Sequence, residues 1–196
     1  MPGAPSLFLQ PHYDDVALSC GGAVAMAADG GLPAHIITVF ACELVDQMVG
    51  DFATYKHRRW KLHDADAVAA VRRSEDAAAA AELGCPVRWL GLPDAIYRGD
   101  RYNTDEALFR ALHPEEFELA AVLAEKIGQL PEWRAGATVF VPLGAGGHVD
   151  HQLVFEAGRV LASRGVTVFA YEDCPYVIHS PQGLDERLVD VGSRLG

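Results

Sequence analysis

Hydrophobic positions along this 196-residue chain alternate between two patterns. Short runs with few polar breaks are followed by longer stretches whose apolar positions recur at helical spacing. The short runs at residues 6–10 (SLFLQ), 35–40 (HIITVF), 87–90, 138–143 (TVFVPL) and 167–171 predict strands. Because they are apolar throughout instead of alternating, they fit strands buried on both faces. Pro142 marks a strand end, or a place where no ladder donor is needed. Helices are predicted over residues 16–28, 64–83, 104–112, 114–130 and 151–163. The second has Asp64 or Asp66 as an N-cap and Gly84 just past its end, and the fourth carries Glu115 and Glu116 in its first turn. Residues 42–63 are aromatic and charged with no clean period, which predicts a long loop of functional use. Residues 96–103 read as a surface loop.

Strands alternating with helices predict an α/β fold of three layers, α/β/α, around a mainly parallel sheet. Right-handed crossovers place the C-terminal ends of all the strands along one edge, where open α/β sheets bind ligands. The conspicuous polar residues follow strands. His12, Asp14 and Asp15 come after the first, Glu43 after the second and Asp94 after the third. His148 to His151 follow the fourth, and Glu172 and Asp173 the fifth. The length predicts a single domain, 1–196.

Two of these clusters carry chemistry. PHYDD (Pro11 to Asp15) and HVDH (His148 to His151) hold three His and three Asp, ligand types of a hard-to-borderline divalent metal. His12 lies three residues before Asp15, close enough for both to reach one ion. Asp14 and Asp15 diverge, so one can bind metal while the other faces a substrate. His148 and His151 share a face if a helix begins there. Three ligands and an open vertex form a catalytic zinc site, leaving a carboxylate for general-base work and a His for an oxyanion or a leaving group. Capping is the plain alternative, since Asp15 and Asp150 each stand where a helix starts. Two clusters on one sheet edge favour the metal.

Composition narrows the partners. The formal charge is −11, which argues against nucleic acid or an anionic membrane surface. Cys20, Cys42, Cys85 and Cys174 form no CxxC pair and predict reduced thiols in a cytoplasmic protein. No signal peptide and no bilayer-spanning apolar run is evident.

The stretches PHYDDVALSCGG and GGHVDHQ resemble the His-x-Asp-Asp and His-x-Asp-His signatures of the PIG-L/LmbE-like metal-dependent de-N-acetylases. RRSEDAAAAAELG is similar to that family's Arg-x-x-Glu helix, GLPDAIY to its Gly-Leu-Pro-Asp turn, and YEDCPY to a late element of one branch. The resemblance runs from about Leu7 to Tyr176 and implies a Rossmann-like fold. It implies removal of an N-acetyl group from an N-acetylglucosamine-type amino sugar or a small glycoconjugate. By position, it implies that His12, Asp15 and His151 hold Zn2+, or another divalent metal. Asp14 would be the general base and His148 the acid or oxyanion stabiliser, with Asp150 orienting and charging the His148 imidazole. Arg72, with Arg73 as fallback, would touch a substrate hydroxyl or anionic group, and Glu43 and Glu172 are further candidates for substrate contact.

The chain departs from the family pattern at Tyr13, Val16 and Cys42, all expected on the pocket wall, which bears on substrate identity more than on reaction type. It also stops soon after Asp190 where family members continue. That implies either a short branch or a pocket completed elsewhere, for example by a second subunit of a homo-oligomer. A different amide or ester substrate, and a non-catalytic sugar- or metabolite-binding module, are the competing functions. Trp60, His57 and His63 are candidates for a lid, with a plain surface loop as the alternative.

Overall fold

Five parallel strands form one sheet in the computed structural model, which describes residues 3–43, 49–61, 65–179 and 181–195. The strands are β1 (Ser6–Gln10), β2 (Ala34–Thr38), β3 (Val87–Trp89), β4 (Thr138–Pro142) and β5 (Thr167–Tyr171), in the order β3-β2-β1-β4-β5. Each falls on one of the apolar runs. In register, Phe8 lies beside Ile36 and Phe140, and Phe140 beside Phe169. These side chains share one face, where the rings of Phe8 and Phe140 stack at 4.4 Å.

The helices are α1 (Asp15–Asp29), α2 (Asp51–Arg59), α3 (Ala65–Glu82), α4 (Asp105–Leu108), α5 (Glu116–Gly128), α6 (Val149–Ser163), α7 (Tyr176–His179) and α8 (Pro181–Leu195). Successive strand residues point to opposite faces, so each strand feeds two cores. Leu7, Leu9, Ile37, Val39, Val139 and Val141 pack with Leu123, Ile127, Leu153 and Leu161 of α5 and α6. Phe8 and Ile36 pack with Val16 and Val24 of α1 and Ala80 of α3. This double burial is why β1, β2 and β4 read as unbroken apolar runs; the edge strands β3 and β5 depart from the expected burial, with Phe169 of β5 54% exposed. Among the described residues, no helix is long and apolar enough to cross a membrane.

Residues 42–63 differ from the loop expected, because they contain α2. Only Ala53 and His57 of that helix are buried, too few to print a helical period on a segment that is otherwise charged. The helix expected over 104–112 shrinks to the single turn α4, capped by Thr104, whose hydroxyl accepts from the Ala107 amide at 3.1 Å. Beyond β5 the chain adds α7 and α8, for which the apolar pattern offered no forecast.

Candidate active site

The direction of strand order reverses between β1 and β4, so the chains leaving these neighbours diverge and open a crevice. A cavity of about 630 Å³ lies there, with His12, Asp14, Asp15, Arg72, His148 and Tyr176 among its lining residues. The turn after β1 is closed by the Asp15 carboxylate, which accepts from the His12 amide at 2.7 Å. Asp15 then enters α1 buried, while Asp14, at the N-cap position, is half-exposed and faces the cavity. The two adjacent carboxylates diverge as expected.

The turn after β4 runs directly into α6, two residues earlier than forecast. His148, not Asp150, is the N-cap: its Nδ1 accepts from the Asp150 amide at 3.2 Å. A neutral His148 ring therefore carries its proton on Nε2. Burial, followed by the nearby charge of His12, pushes the His148 pKa down to about 3, so the ring is neutral at ordinary pH.

His151 is locked by a residue from the far end of the sheet. Its Nδ1 lies 2.6 Å from Oδ1 of the fully buried Asp173, whose Oδ2 accepts from the Gly144 and Ala145 amides at 2.7 and 3.0 Å. The two amides favour the ionised carboxylate, which has only acceptor oxygens, so Nδ1–H donates to Oδ1 and the Nε2 lone pair of the neutral ring is left bare. That Nε2 is buried, has no hydrogen-bond partner among the described residues, and lies 3.5 Å from Asp15 Oδ1. An unpartnered imidazole nitrogen beside a carboxylate suits a cation.

The glycines before His148 serve this arrangement. Gly144 supplies one of the amides that hold Asp173, and a Cβ at Gly146 would lie 2.3 Å from the Tyr176 ring. Tyr176 in turn packs edge-on against His151, with ring centroids 5.3 Å apart. Gly146→Ala is therefore expected to displace Tyr176 and deform the cavity wall. A crystal structure of the variant with Tyr176 in place would refute this.

His12 stands among three carboxylates. Its Nε2 is 3.0 Å from Asp150 Oδ2 and 3.3 Å from Asp94 Oδ2, and its Nδ1 is 3.5 Å from Asp15 Oδ2. Burial disfavours a charged His12, but Asp94, Asp15 and Asp150 outweigh it and raise its pKa well above the ordinary value. Burial likewise opposes ionisation of Asp15, yet the His151 and His12 imidazoles hold its pKa down to about 2. The floor of the cavity thus favours positive charge, and a bound metal would displace the proton. The expected pairing of the Asp150 carboxylate with the His148 ring is not formed; that carboxylate turns to His12, because the first turn of α6 packs against the end of β1.

Among the described residues, two triads bring ligand atoms within 4.8 Å of one another: His12, Asp15 and His151, and His12, His148 and Asp150. The second is already engaged. Asp150 accepts from Arg98 Nη1 at 2.6 Å and from the Ala95 amide at 3.1 Å, besides meeting His12, and a guanidinium beside it repels a further cation. The first triad contains the bare His151 nitrogen and fits a divalent metal better.

Arg72 lines the cavity and donates to Asp14 at 3.2 Å. Arg73 turns away, bonding the Ala41 carbonyl at 2.7 Å and Glu43 at 3.0 Å. Glu43 is 82% exposed on that pair and Glu172 faces solvent, so neither is brought to the cavity. Strand alternation explains Glu172: buried Tyr171 and Asp173 flank it on the opposite side. Trp60 and Tyr97 line the wall, and His57 lies behind them, 2.6 Å from the Tyr97 hydroxyl. His63 lies outside the described residues. Arg98 and Glu116 lie buried beside Asp150, yet nothing local in the sequence distinguishes them from surface charges.

The family described as PIG-L, GlcNAc-PI de-N-acetylase, matches residues 7–162. The chain belongs to the PIG-L family. Two curated relatives are 2'-N-acetylparomamine deacetylases. The one from Niallia circulans is 30% identical over 188 residues, covering 87% of this chain and 66% of the relative. The one from Streptomyces fradiae is 34% identical over 177 residues, covering 87% and 57%. This PIG-L chain therefore spans less than two thirds of either relative's length. A teicoplanin deacetylase solved with teicoplanin is similar at TM-score 0.77 and 27% identity, covering 89% of this chain and 72% of that one. The A40926 pseudoaglycone deacetylase is similar at 0.73 and 29%, covering 89% and 66%. One teicoplanin deacetylase structure is described as a zinc-inhibited form.

Proposed function

We propose that this chain, acting as one domain over residues 1–196, is a zinc-dependent hydrolase that removes an N-acetyl group from an amino sugar or a small glycoconjugate. The observation that carries the proposal is the bare, buried His151 Nε2, within ligand reach of His12 and Asp15, which themselves line the cavity with Asp14 and His148. The relatives named as 2'-N-acetylparomamine deacetylases support an amino-sugar substrate, and the similar structures are deacetylases of A40926 pseudoaglycone and teicoplanin. The free cysteines, Cys20, Cys42, Cys85 and Cys174, support a reducing cytoplasmic setting.

On this reading His12, Asp15 and His151 hold the metal, which when bound supplies a Lewis acid that polarises the acetamide carbonyl and lowers the pKa of water. Asp14 takes a proton from the attacking water and returns it to the departing amine as the C–N bond breaks, leaving acetate. It faces the cavity and is held by Arg72 at 3.2 Å, a position from which it can meet water there. His148, neutral with its proton on Nε2, donates to the oxygen that gains charge as the carbonyl is attacked. Asp150 orients His12. Arg72 also meets a sugar hydroxyl or an anionic group at the cavity wall.

The test is acetate release by the zinc-reconstituted chain from N-acetylglucosamine and 2'-N-acetylparomamine, with an N-acetylated peptide and an aryl acetate ester alongside. Acetate from the amino sugars, lost on chelation and restored by zinc, is the expected result. Cleavage of the peptide or the ester alone would move the chemistry to another bond. Tight sugar binding without acetate would point to a binding module.

A further inference from the structure

Arg98 is enclosed as few charged side chains are, with 9% of it exposed, and its guanidinium forks between carboxylates from two helices. Nη1 donates to Asp150 Oδ1 at 2.6 Å and to the Pro93 carbonyl at 3.1 Å. Nε and Nη2 donate to the two oxygens of Glu116 at 2.9 and 3.3 Å. Glu116 is itself buried in the first turn of α5, and its Oε2 accepts from the Tyr102 hydroxyl at 2.8 Å. Phe40 and Tyr102 each hold a ring near the guanidinium carbon, at 5.2 and 5.4 Å. A buried assembly of this kind is no route to stability in itself, since apolar side chains of the same volume commonly serve a core as well.

What the assembly does is aim Asp150. With Oδ1 held by Arg98 and Oδ2 by the Ala95 amide, the carboxylate has one orientation, and Oδ2 meets His12 Nε2 at 3.0 Å. His12 then has its Nδ1 on the Asp15 side, 3.5 Å from Oδ2. We infer that Arg98 is a positioning residue of the metal centre, acting through Asp150 to fix the orientation and tautomer of His12, with Glu116 on α5 as its anchor. The inference rests on the proposal that His12, Asp15 and His151 hold the metal. It is a role that lysine cannot fill, because a single ammonium has neither the fork that spans two carboxylates nor the plane that packs between rings.

The experiment uses the full chain with Arg98→Lys and, as a control at the outer end of the assembly, Tyr102→Phe. Zinc affinity is read by competition with a chromophoric chelator, ligand geometry by the visible spectrum of Co2+ in place of zinc, and folding by thermal melts. Loss of an outer partner of a metal-bound imidazole costs roughly 10–100-fold in metal affinity, and that loss is expected for Arg98→Lys in a chain that still melts cooperatively, with an altered Co2+ spectrum. Tyr102→Phe is expected to bind zinc nearly as the parent does. An Arg98→Lys chain with unchanged zinc affinity and an unchanged spectrum overturns the inference while leaving the metal reading intact. A chain that fails to fold assigns Arg98 to the core instead and overturns it equally. Should the parent take up neither zinc nor Co2+, both the inference and the metal reading fall.

Discussion

Asp14→Asn is expected to keep its metal and lose turnover by roughly 10²- to 10⁴-fold, the usual contribution of a positioned general base. Asp14 stands outside the triad of His12, Asp15 and His151, so the substitution leaves every candidate ligand untouched. It faces the cavity from the N-cap position of α1 and meets Arg72 at 3.2 Å, a contact that an amide oxygen can still accept. The change is therefore confined to the ability to take a proton. Acetate release gives the turnover and elemental analysis the zinc. Undiminished turnover would remove Asp14 from the role of base, and loss of zinc would make it a ligand.

Asp173→Asn is expected to weaken metal binding by roughly 10–100-fold with the fold retained. Two amides, Gly144 and Ala145, converge on one carboxylate oxygen, so the oxygen of an asparagine must take that place. Its NH2 group then faces His151 Nδ1, which sits 2.6 Å from the other oxygen. Nδ1 becomes an acceptor, the ring proton moves to Nε2, and the lone pair offered to a metal disappears. Zinc competition titrations measure the loss, and a melt shows that the chain is folded. Affinity equal to that of the parent chain would mean that His151 does not bind through Nε2. Both the size and the direction of this effect come from a tautomer, with no atom of the candidate triad replaced.

How much of this was legible in advance depends on the range of the interaction. The central strands could be read because burial on both faces leaves an uninterrupted apolar run, as in HIITVF. Helix α2 could not, because tertiary contacts bury only Ala53 and His57. His12, Asp15 and His151 could be singled out because each lies in a compact cluster just after a strand. Glu43 and Glu172 shared that placement yet point elsewhere, one to Arg73 and one to solvent. A position after a strand brings a residue to the edge of the sheet without aiming its side chain. Asp150 makes the point most directly. Its ring neighbour two residues away, His148, was the natural partner, yet its carboxylate meets His12, 138 positions distant.

The order of residues alone determined a covered parallel sheet, the edge on which chemistry collects, and the supply of imidazoles and carboxylates there, because each of these follows from patterns a few residues long. Only the folded chain decided that β1 and β4 are neighbours, that Asp173 holds the His151 proton on Nδ1, and that Arg98 and Glu116 lie buried behind Asp150. Such choices depend on which distant groups desolvate one another. A charge can be buried only where its partner arrives, and that arrival is a property of the packed whole.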